Sequence, residues 1–438
     1  MLGDTIAAPI TGTGRAAVAL VRLSGPQAWE IAAQVFRPWD PVPRMVSYGR
    51  LCNGDDGLCV PFRERQSYTG EETVELSMHG SPASVRAVLT ACVAAGARLA
   101  EPGEFTQRAF LNGRIDLTQA EAVREAIEAQ TELQLRHANL VREGALHAEL
   151  GGLRSEVLAL LAQVEASVNF PDEVDPPDPA HCQSLVGKWQ EALGRLLSTA
   201  RSGRILRQGL RIAIVGPPNA GKSSLLNALA GVDRAIVTAI PGTTRDTIEE
   251  TVELGGLPCV LVDTAGLRES TDEVESLGIE RSRREMAQAD LVWRVVDASS
   301  EIASEEGDWS CYAPPASPET WAVLNKIDLL APGARARLDG AVAVSALTGE
   351  GLDLLAEKVR RYGDLQPDGV TIAPRHEPYL LQAKTALEGV AEAVRHHLPA
   401  DLLAAGLQEA AHSLGQITGE TADADMVERI FREFCVGK

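Results

Sequence analysis

A glycine-rich loop set between a strand and a helix narrows the fold of this chain more than anything else. The apolar run Leu210 to Val215 feeds into Gly216-Pro-Pro-Asn-Ala-Gly221-Lys222-Ser223, and an apolar helix signal follows from Ser224 to Gly231. Glycines let backbone N–H groups approach phosphates, and a helix N-terminus favours anions. Lys222 then reaches the β/γ-phosphates and Ser223 can ligate Mg2+. Strand, glycine loop, helix and strand recur from about 210 to 365, which calls for a parallel α/β sheet.

Three further segments follow in the order a GTP site requires. Asp263-Thr264-Ala265-Gly266 comes after the strand Cys259 to Val262 and sets a carboxylate beside the metal and a glycine amide at the γ-phosphate. Asn325-Lys326-Ile327-Asp328 comes after Trp321 to Leu324. A carboxylate there accepts both the N1 and N2 hydrogens of guanine, whereas adenine offers no such pair of donors. Ser345-Ala346-Leu347, after Ala341 to Val344, closes over the base through backbone amides. Between the first two motifs, the polar stretch Thr238 to Asp246 with Pro241 and Gly242 reads as the switch whose Thr244 completes the Mg2+ sphere. Leu267 stands where Ras-like enzymes orient water with glutamine, so another group must do that work. The acidic run Asp272-Glu273-Val274-Glu275 supplies candidates, although it also reads as a solvated helix start.

Outside this region the periodicity changes twice. Residues 1 to about 117 alternate short strand-like runs with Gly- and Pro-rich turns, and one helix there is capped by Ser81 and ended by Gly96. This is an α+β pattern. From Thr118 the period becomes 3.6, opened by a capping box at Thr118 to Glu121. Leu146, Leu150, Leu153, Val157, Leu160, Val164 and Val168 share one helical face. The proline-rich linker 171–179 precedes a helix carrying Leu185, Trp189, Leu193 and Leu196. Helical stripes return after Pro367, ending with Val427, Ile430, Phe431 and Phe434. One helical domain (118–209 and 366–438) interrupted by an inserted domain (210–365) is the economical division.

Composition bounds function. With 41 basic and 61 acidic residues among 438, the formal charge is -20. Such a chain repels polyanions, so any RNA contact is local or carried by a partner. No run approaches the ~20 apolar residues that span a bilayer, and the N-terminus lacks a signal-peptide pattern, so a cytoplasmic protein is expected. Seven cysteines without a C-x-x-C pair argue against a disulfide framework or a zinc site. Cys435-Val436-Gly437-Lys438 is a poor prenylation signal.

The strings PNAGKSSLLNAL, IVTAIPGTTRD, DTAGLR, VRLSG, SYTGEETVEL, PGEFTQRAFLNGRIDLTQAEAV and RIFREFCVGK together resemble the MnmE (TrmE) family of tRNA modification GTPases. The resemblance runs nearly end to end. It implies an N-terminal tetrahydrofolate-binding-like α+β domain (1–117) that dimerises, a discontinuous α-helical domain and an inserted Ras-like P-loop G domain. It also implies a homodimer that works with the flavin-dependent partner MnmG. Together the two add aminomethyl or carboxymethylaminomethyl groups to C5 of the wobble uridine of tRNA. The carbon would come from a tetrahydrofolate, in its 5-formyl or 5,10-methylene form.

Carried over residue by residue, the resemblance places the GTP/GDP site on Asn219, Ala220, Gly221, Lys222, Ser223 and Ser224, on Thr238, Thr243 and Thr244, on Asp263, Thr264, Ala265 and Gly266, on Asn325, Lys326 and Asp328, and on Ser345, Ala346 and Leu347. Mg2+ would be held by Ser223 and Thr244. The Asn219 side chain would bind K+ with the carbonyls of Thr238, Ile240 and Thr243, and Glu275 would position the attacking water. Arg22, Glu75, Arg114 and Lys438 match the folate-contacting positions, and Cys435 the tail cysteine tied to modification. Pro217 departs from the Arg that relatives often carry, and Arg114 stands where some have Lys. An Era-like ribosome-assembly GTPase would show a basic or GXXG appendage, which the acidic helical C-terminus lacks. A folate-sensing scaffold GTPase remains open at this level.

Overall fold

The computed structural model describes residues 3–12, 14–232, 248–263, 285–299, 319–330, 341–363 and 369–438. Two compact units divide the chain: Met1–Arg124, Val141–Gln190 and Tyr379–Lys438 form the first, and Glu125–Leu140 with Glu191–Pro378 the second. No helix of the described residues is long and apolar enough to cross a membrane.

The first unit opens with the strands β1 (Ile6–Pro9), β2 (Val18–Ser24), β3 (Phe36–Arg37), β4 (Ser47–Leu51), β5 (Asp56–Phe62), β6 (Thr73–His79) and β7 (Arg98–Leu99). They form one sheet in the order β3-β4-β5-β6-β2-β1-β7. Only β1 and β7 pair in parallel. Two helices, α1 (Ala28–Val35) and α2 (Pro82–Ala94), cover one face, burying Val21, Leu23, Ile31, Val74, Leu76 and Val88 in a common core. As the sequence suggests, Ser81 caps α2 by accepting from Ser84 N at 3.1 Å, and Gly96 takes a positive φ of 114° just beyond it.

Next come α3 (Glu104–Leu111), α4 (Leu117–Glu128), α5 (Glu132–Arg142), α6 (Ala145–Asn169) and α7 (Pro179–Ser198). The cap of α4 differs from the expected box. Asp116 holds it, accepting at Oδ1 from Thr118 N (2.7 Å), Thr118 Oγ1 (2.6 Å) and Gln119 N (3.2 Å), while Gln119 Oε1 accepts from Asp116 N at 3.0 Å. A carboxylate two residues earlier is the stronger acceptor for free helix N–H groups, and it carries negative charge to the helix N-terminus. The buried stripe of α6 runs from Leu146 to Val164 as expected but ends on Ser167, and Val168 is exposed. Helix α7 follows the proline linker, and its Trp189 donates to Glu156 Oε2 at 2.7 Å.

In the second unit, α8 (Ala200–Gln208) leads into β8 (Leu210–Val215), α9 (Lys222–Val232), β9 (Ile248–Leu254), β10 (Leu257–Asp263), β11 (Leu291–Asp297), β12 (Glu319–Asn325), β13 (Val342–Ala343) and α10 (Leu352–Gly363). The sheet order is β13-β12-β11-β8-β10-β9. Pairing is parallel except at the edge, where β9 runs antiparallel to β10. That hairpin departs from the all-parallel expectation, and Gly255-Gly256, at φ 61° and 87°, supplies the two left-handed residues its tight turn demands. Chain order reverses beside β8, so the loop after it opens at the switch point where α/β sheets bind ligands.

His137 on α5 is buried in the same unit and accepts at Nε2 from Thr371 N at 3.2 Å. Burial pushes its pKa down to about 3, and the charge of Arg207 adds to this. The remaining helices, α11 (His376–Arg395), α12 (Ala400–Thr418) and α13 (Ala424–Arg432), return the chain to helical structure, and α12 packs along α6.

Candidate functional site

The nucleotide motifs converge at the carboxyl ends of β8, β10, β12 and β13. Gly216 has φ 152°, and a Cβ there would stand 2.1 Å from Val295 O. Gly221 has φ 87°, with its missing Cβ 2.3 Å from Asn325 Nδ2. Only glycine lets the loop lie this close to β11 and β12. Asn219 is left-handed at φ 63°, a conformation asparagine tolerates. Lys222 Nζ donates to the carbonyls of Gly216 and Pro217, both at 2.9 Å, so its ammonium lies over the loop. Ser223 Oγ donates to Asp263 Oδ2 at 3.0 Å, which sets two hard oxygen donors side by side. Ala220 is buried and Ser224 exposed.

Asn325 joins the two halves of this site. Its Nδ2 donates to Ala220 O at 3.0 Å and Gly221 O at 3.3 Å, while its Oδ1 accepts from Ala346 N at 3.0 Å. One buried amide thereby fixes the phosphate loop and the Ser345–Leu347 loop together. Lys326, left-handed at φ 65°, pairs with Asp297 at 2.7 Å. Burial opposes the charge on Asp297, but hydrogen bonds from Lys326 and Ser299 prevail and hold its carboxyl below the usual range. Ser345 Oγ donates to Asp328 Oδ1 at 2.5 Å, which orients that carboxylate, and Leu347 is 87 % exposed beside it. Thr238, Ile240, Thr243, Thr244, Thr264, Ala265, Gly266 and Glu275 lie outside the described residues.

A second cluster forms where the chain's two ends meet in the first unit. Strand register sets Arg22 opposite Glu75. The pair bonds through Arg22 Nε (2.9 Å) and Nη2 (2.8 Å) to Glu75 Oε1. The Arg22 guanidinium also lies 5.1 Å from the Tyr68 ring centroid and 5.4 Å from that of Phe105. Lys438 joins them: burial pushes its amine pKa down, the Arg22 charge adds to this, and Glu75 opposes it.

The tail reaches this place because its helix is anchored. Val427, Phe431 and Phe434 pack with Leu117 and Ala120, and Phe110 and Phe434 flank Phe431 at 6.1 and 5.4 Å. The backbone then docks on the start of α3, where Gly103 N donates to Cys435 O at 3.3 Å and Phe105 N to Lys438 O at 3.2 Å. Gly437, at φ 96°, lies so close to β1 that a Cβ would stand 2.1 Å from Pro9 O. The structure therefore brings Arg22, Glu75 and Lys438 together. Arg114 lies against Gly70 in the neighbouring loop, and Cys435 is exposed at the start of the docked tail.

Sequence reasoning missed what holds this cluster in place. Arg108, nearly fully buried, donates to Asp4 Oδ1 (2.7 Å), Glu104 Oε1 (3.0 Å) and Glu71 Oε2 (3.1 Å). Ser24 Oγ donates to Glu71 Oε2 and meets Thr69 Oγ1, both at 2.7 Å. The loop carrying Tyr68 and Gly70 is thus tied to β2 and α3, and through Arg108 to Asp4 just before β1. The one local signal was the Glu71-Glu72 pair in an otherwise small and polar loop.

A model of the MnmE helical domain matches residues 117–435, and a model of the GTP-binding protein TrmE N-terminus matches residues 5–114. The tRNA modification GTPase MnmE of Roseiflexus castenholzii is 45% identical over 469 aligned positions, covering 100% of both chains. That of Moorella thermoacetica is 43% identical with the same coverage. That of Aquifex aeolicus is 43% identical, covering 99% of this chain and 100% of its own. The chain belongs to the MnmE family of tRNA modification GTPases.

Proposed function

We propose that the protein binds and hydrolyses GTP and uses that cycle in tRNA modification at C5 of the wobble uridine. The observation that carries this is the assembly of Lys222, Ser223, Asp263, Asn325, Asp328 and Ser345 at one end of one sheet, in a chain related end to end to MnmE proteins. In this reading Ala220, Gly221, Lys222 and Ser224 cradle the phosphates with Thr264, Ala265 and Gly266. Asp328, oriented by Ser345, accepts from the guanine edge, and Lys326, Ala346 and Leu347 enclose the base. Mg2+ suits the oxygens of Ser223 and Asp263, a hard donor set, with Thr244 as a further ligand. It would neutralise charge developing on the phosphates. Asn219 would hold K+ with the carbonyls of Thr238, Ile240 and Thr243, and Glu275 would orient water.

The Arg22, Glu75 and Lys438 cluster, flanked by Arg114, is our candidate tetrahydrofolate site. A pterin edge needs a carboxylate acceptor, and the glutamate of folate needs cations. Cys435 lies in the tail that completes it. The four-segment division at 117, 209 and 365 goes with this reading. So do a cytoplasmic homodimer and the flavin-dependent partner MnmG. Exposed Tyr48 and Leu58 face each other on adjacent strands, with Met45 and Val46 nearby, and such an apolar patch suits a second copy. The test is wobble-uridine analysis in a deletion strain complemented with this gene. Restored aminomethyl or carboxymethylaminomethyl uridine supports the reading. Unmodified uridine with a normal GTPase rate would leave a folate-binding scaffold.

A further inference from the structure

The loop from Ser67 to Glu72 is surrounded by arginines that come from three separate places in the sequence. Arg22 covers the Tyr68 ring. Arg114 packs against Gly70, its Cγ 3.1 Å from where a Gly70 Cβ would stand. Arg142 closes α5, and Gln119 sets its backbone beside the Arg114 segment: the Gln119 side chain accepts from Asp116 N at 3.0 Å and donates to Arg142 O at 2.9 Å. Burial pushes the Tyr68 phenol pKa up, while its hydrogen bond with Thr106 (2.9 Å) and then the charges of Arg22 and Arg142 draw it down, so both guanidinium charges act at Tyr68. Arg114 and Arg142 are exposed, and neither has an ion pair among the described residues. The nearby acids have other partners or are exposed: Glu75 pairs with Arg22, Glu71 with Arg108 and Glu72 with Arg63, Asp116 caps α4, and Glu143 is exposed next to Arg142 in the chain.

We propose that Arg142, together with Arg114, forms an anion subsite that binds the γ-linked glutamate tail of a polyglutamylated folate. This rests on the reading of the Arg22, Glu75 and Lys438 cluster as a folate site. A monoglutamyl folate ends in two carboxylates, and each added γ-glutamyl unit brings one more. Arg22 is neutralised by Glu75 and Lys438 is half-buried, so added carboxylates meet Arg114 and Arg142. Guanidinium groups engage carboxylates through two parallel hydrogen bonds. Solvent-exposed arginines suit a flexible chain of variable length, which the pterin already holds at high effective concentration. A long polyanion such as RNA lacks that advantage and faces the net charge of -20.

Calorimetry on the full chain, with monoglutamyl and triglutamyl 5-formyltetrahydrofolate, tests the proposal on wild type, Arg142→Ala and Arg142→Lys. Wild type should bind the triglutamyl form roughly three- to tenfold more tightly at low salt, as expected of exposed charge pairs. Molar salt should remove that gain. Arg142→Ala should lose most of the gain while its monoglutamyl affinity holds, and Arg142→Lys should recover part of it. A wild-type melting temperature for each variant excludes misfolding as the cause. Equal affinity of wild type for the two ligands would overturn the proposal, as would an undiminished gain in Arg142→Ala, with or without weaker tRNA binding. If neither ligand bound at all, the folate reading itself would fall.

Discussion

Substituting alanine at Gly437 isolates the docked tail as the element that completes the second cluster. The new Cβ would stand 2.1 Å from Pro9 O, far inside van der Waals contact, and the residue would have to keep φ 96°. Left-handed backbone costs a non-glycine residue about 1 to 2 kcal/mol before any clash is counted. Against this, the docked backbone gains two hydrogen bonds from the start of α3, each contributing about 1 kcal/mol net. Strain and clash together therefore exceed what docking returns, and the last residues should leave the surface while α13 stays anchored by Val427, Phe431 and Phe434. Each 1.4 kcal/mol lowers the docked fraction by about tenfold. Two readouts follow. Amide exchange at Gly103 and Phe105 should quicken, and affinity for 5-formyltetrahydrofolate should drop at least tenfold as Lys438 leaves Arg22 and Glu75. The melting temperature should barely move, because the lost contacts are terminal. Wild-type folate affinity in Gly437→Ala, with Gly103 and Phe105 deprotected, would show that the tail is not part of the site.

Potassium should accelerate GTP hydrolysis and sodium should not, since a fixed cation at the β/γ-phosphates takes the place of an arginine finger, worth about 10³ to 10⁵ in rate. Asn219→Gly removes the side chain yet suits φ 63°, and equal rates in KCl and NaCl for the wild type would refute the assignment. Glu275→Ala should bind GTP and GDP as the wild type does but hydrolyse GTP far more slowly; nucleotide affinity falling in step with rate would make its role structural. Acid should destabilise the second unit through His137. The unfolded ring takes a proton near pH 6.5 and the folded ring only near 3. Its contribution is unchanged at pH 7 and is lost on acidification at about 1.4 kcal/mol per pH unit between those values. Denaturant melts at pH 7 and 5 should show a smaller loss in His137→Gln than in wild type, and equal losses would sink this account.

Much of the G domain was legible because its signals are local. A phosphate loop needs glycines where no side chain fits, and each later motif follows its own apolar strand, so Lys222, Ser223, Asp263 and Asp328 could be assigned roles from neighbours in the chain. The helical stripes were legible for the same reason, since a period of 3.6 is written within each segment. Two local features were missed as well, and the rest of what sequence reading left out depends on partners far away in the chain. The antiparallel β9 escaped a repeating βα pattern even though Gly255-Gly256 marked its turn. Asp116 rather than Thr118 caps α4 because a carboxylate within reach outcompetes a hydroxyl, and that hydroxyl donates to it instead. Asn325 could be read as part of a base-recognition motif, but its hold on Ala220 and Gly221 exists only because β12 ends beside the phosphate loop. The pairing of Arg22 with Glu75 follows from strand register, and the approach of Lys438 to both depends on three phenylalanines seating the last helix. Local chemistry determined which groups this chain offers to a ligand. Tertiary structure alone decided which of them share a site, because register, burial and docking are set by contacts between residues tens to hundreds of positions apart.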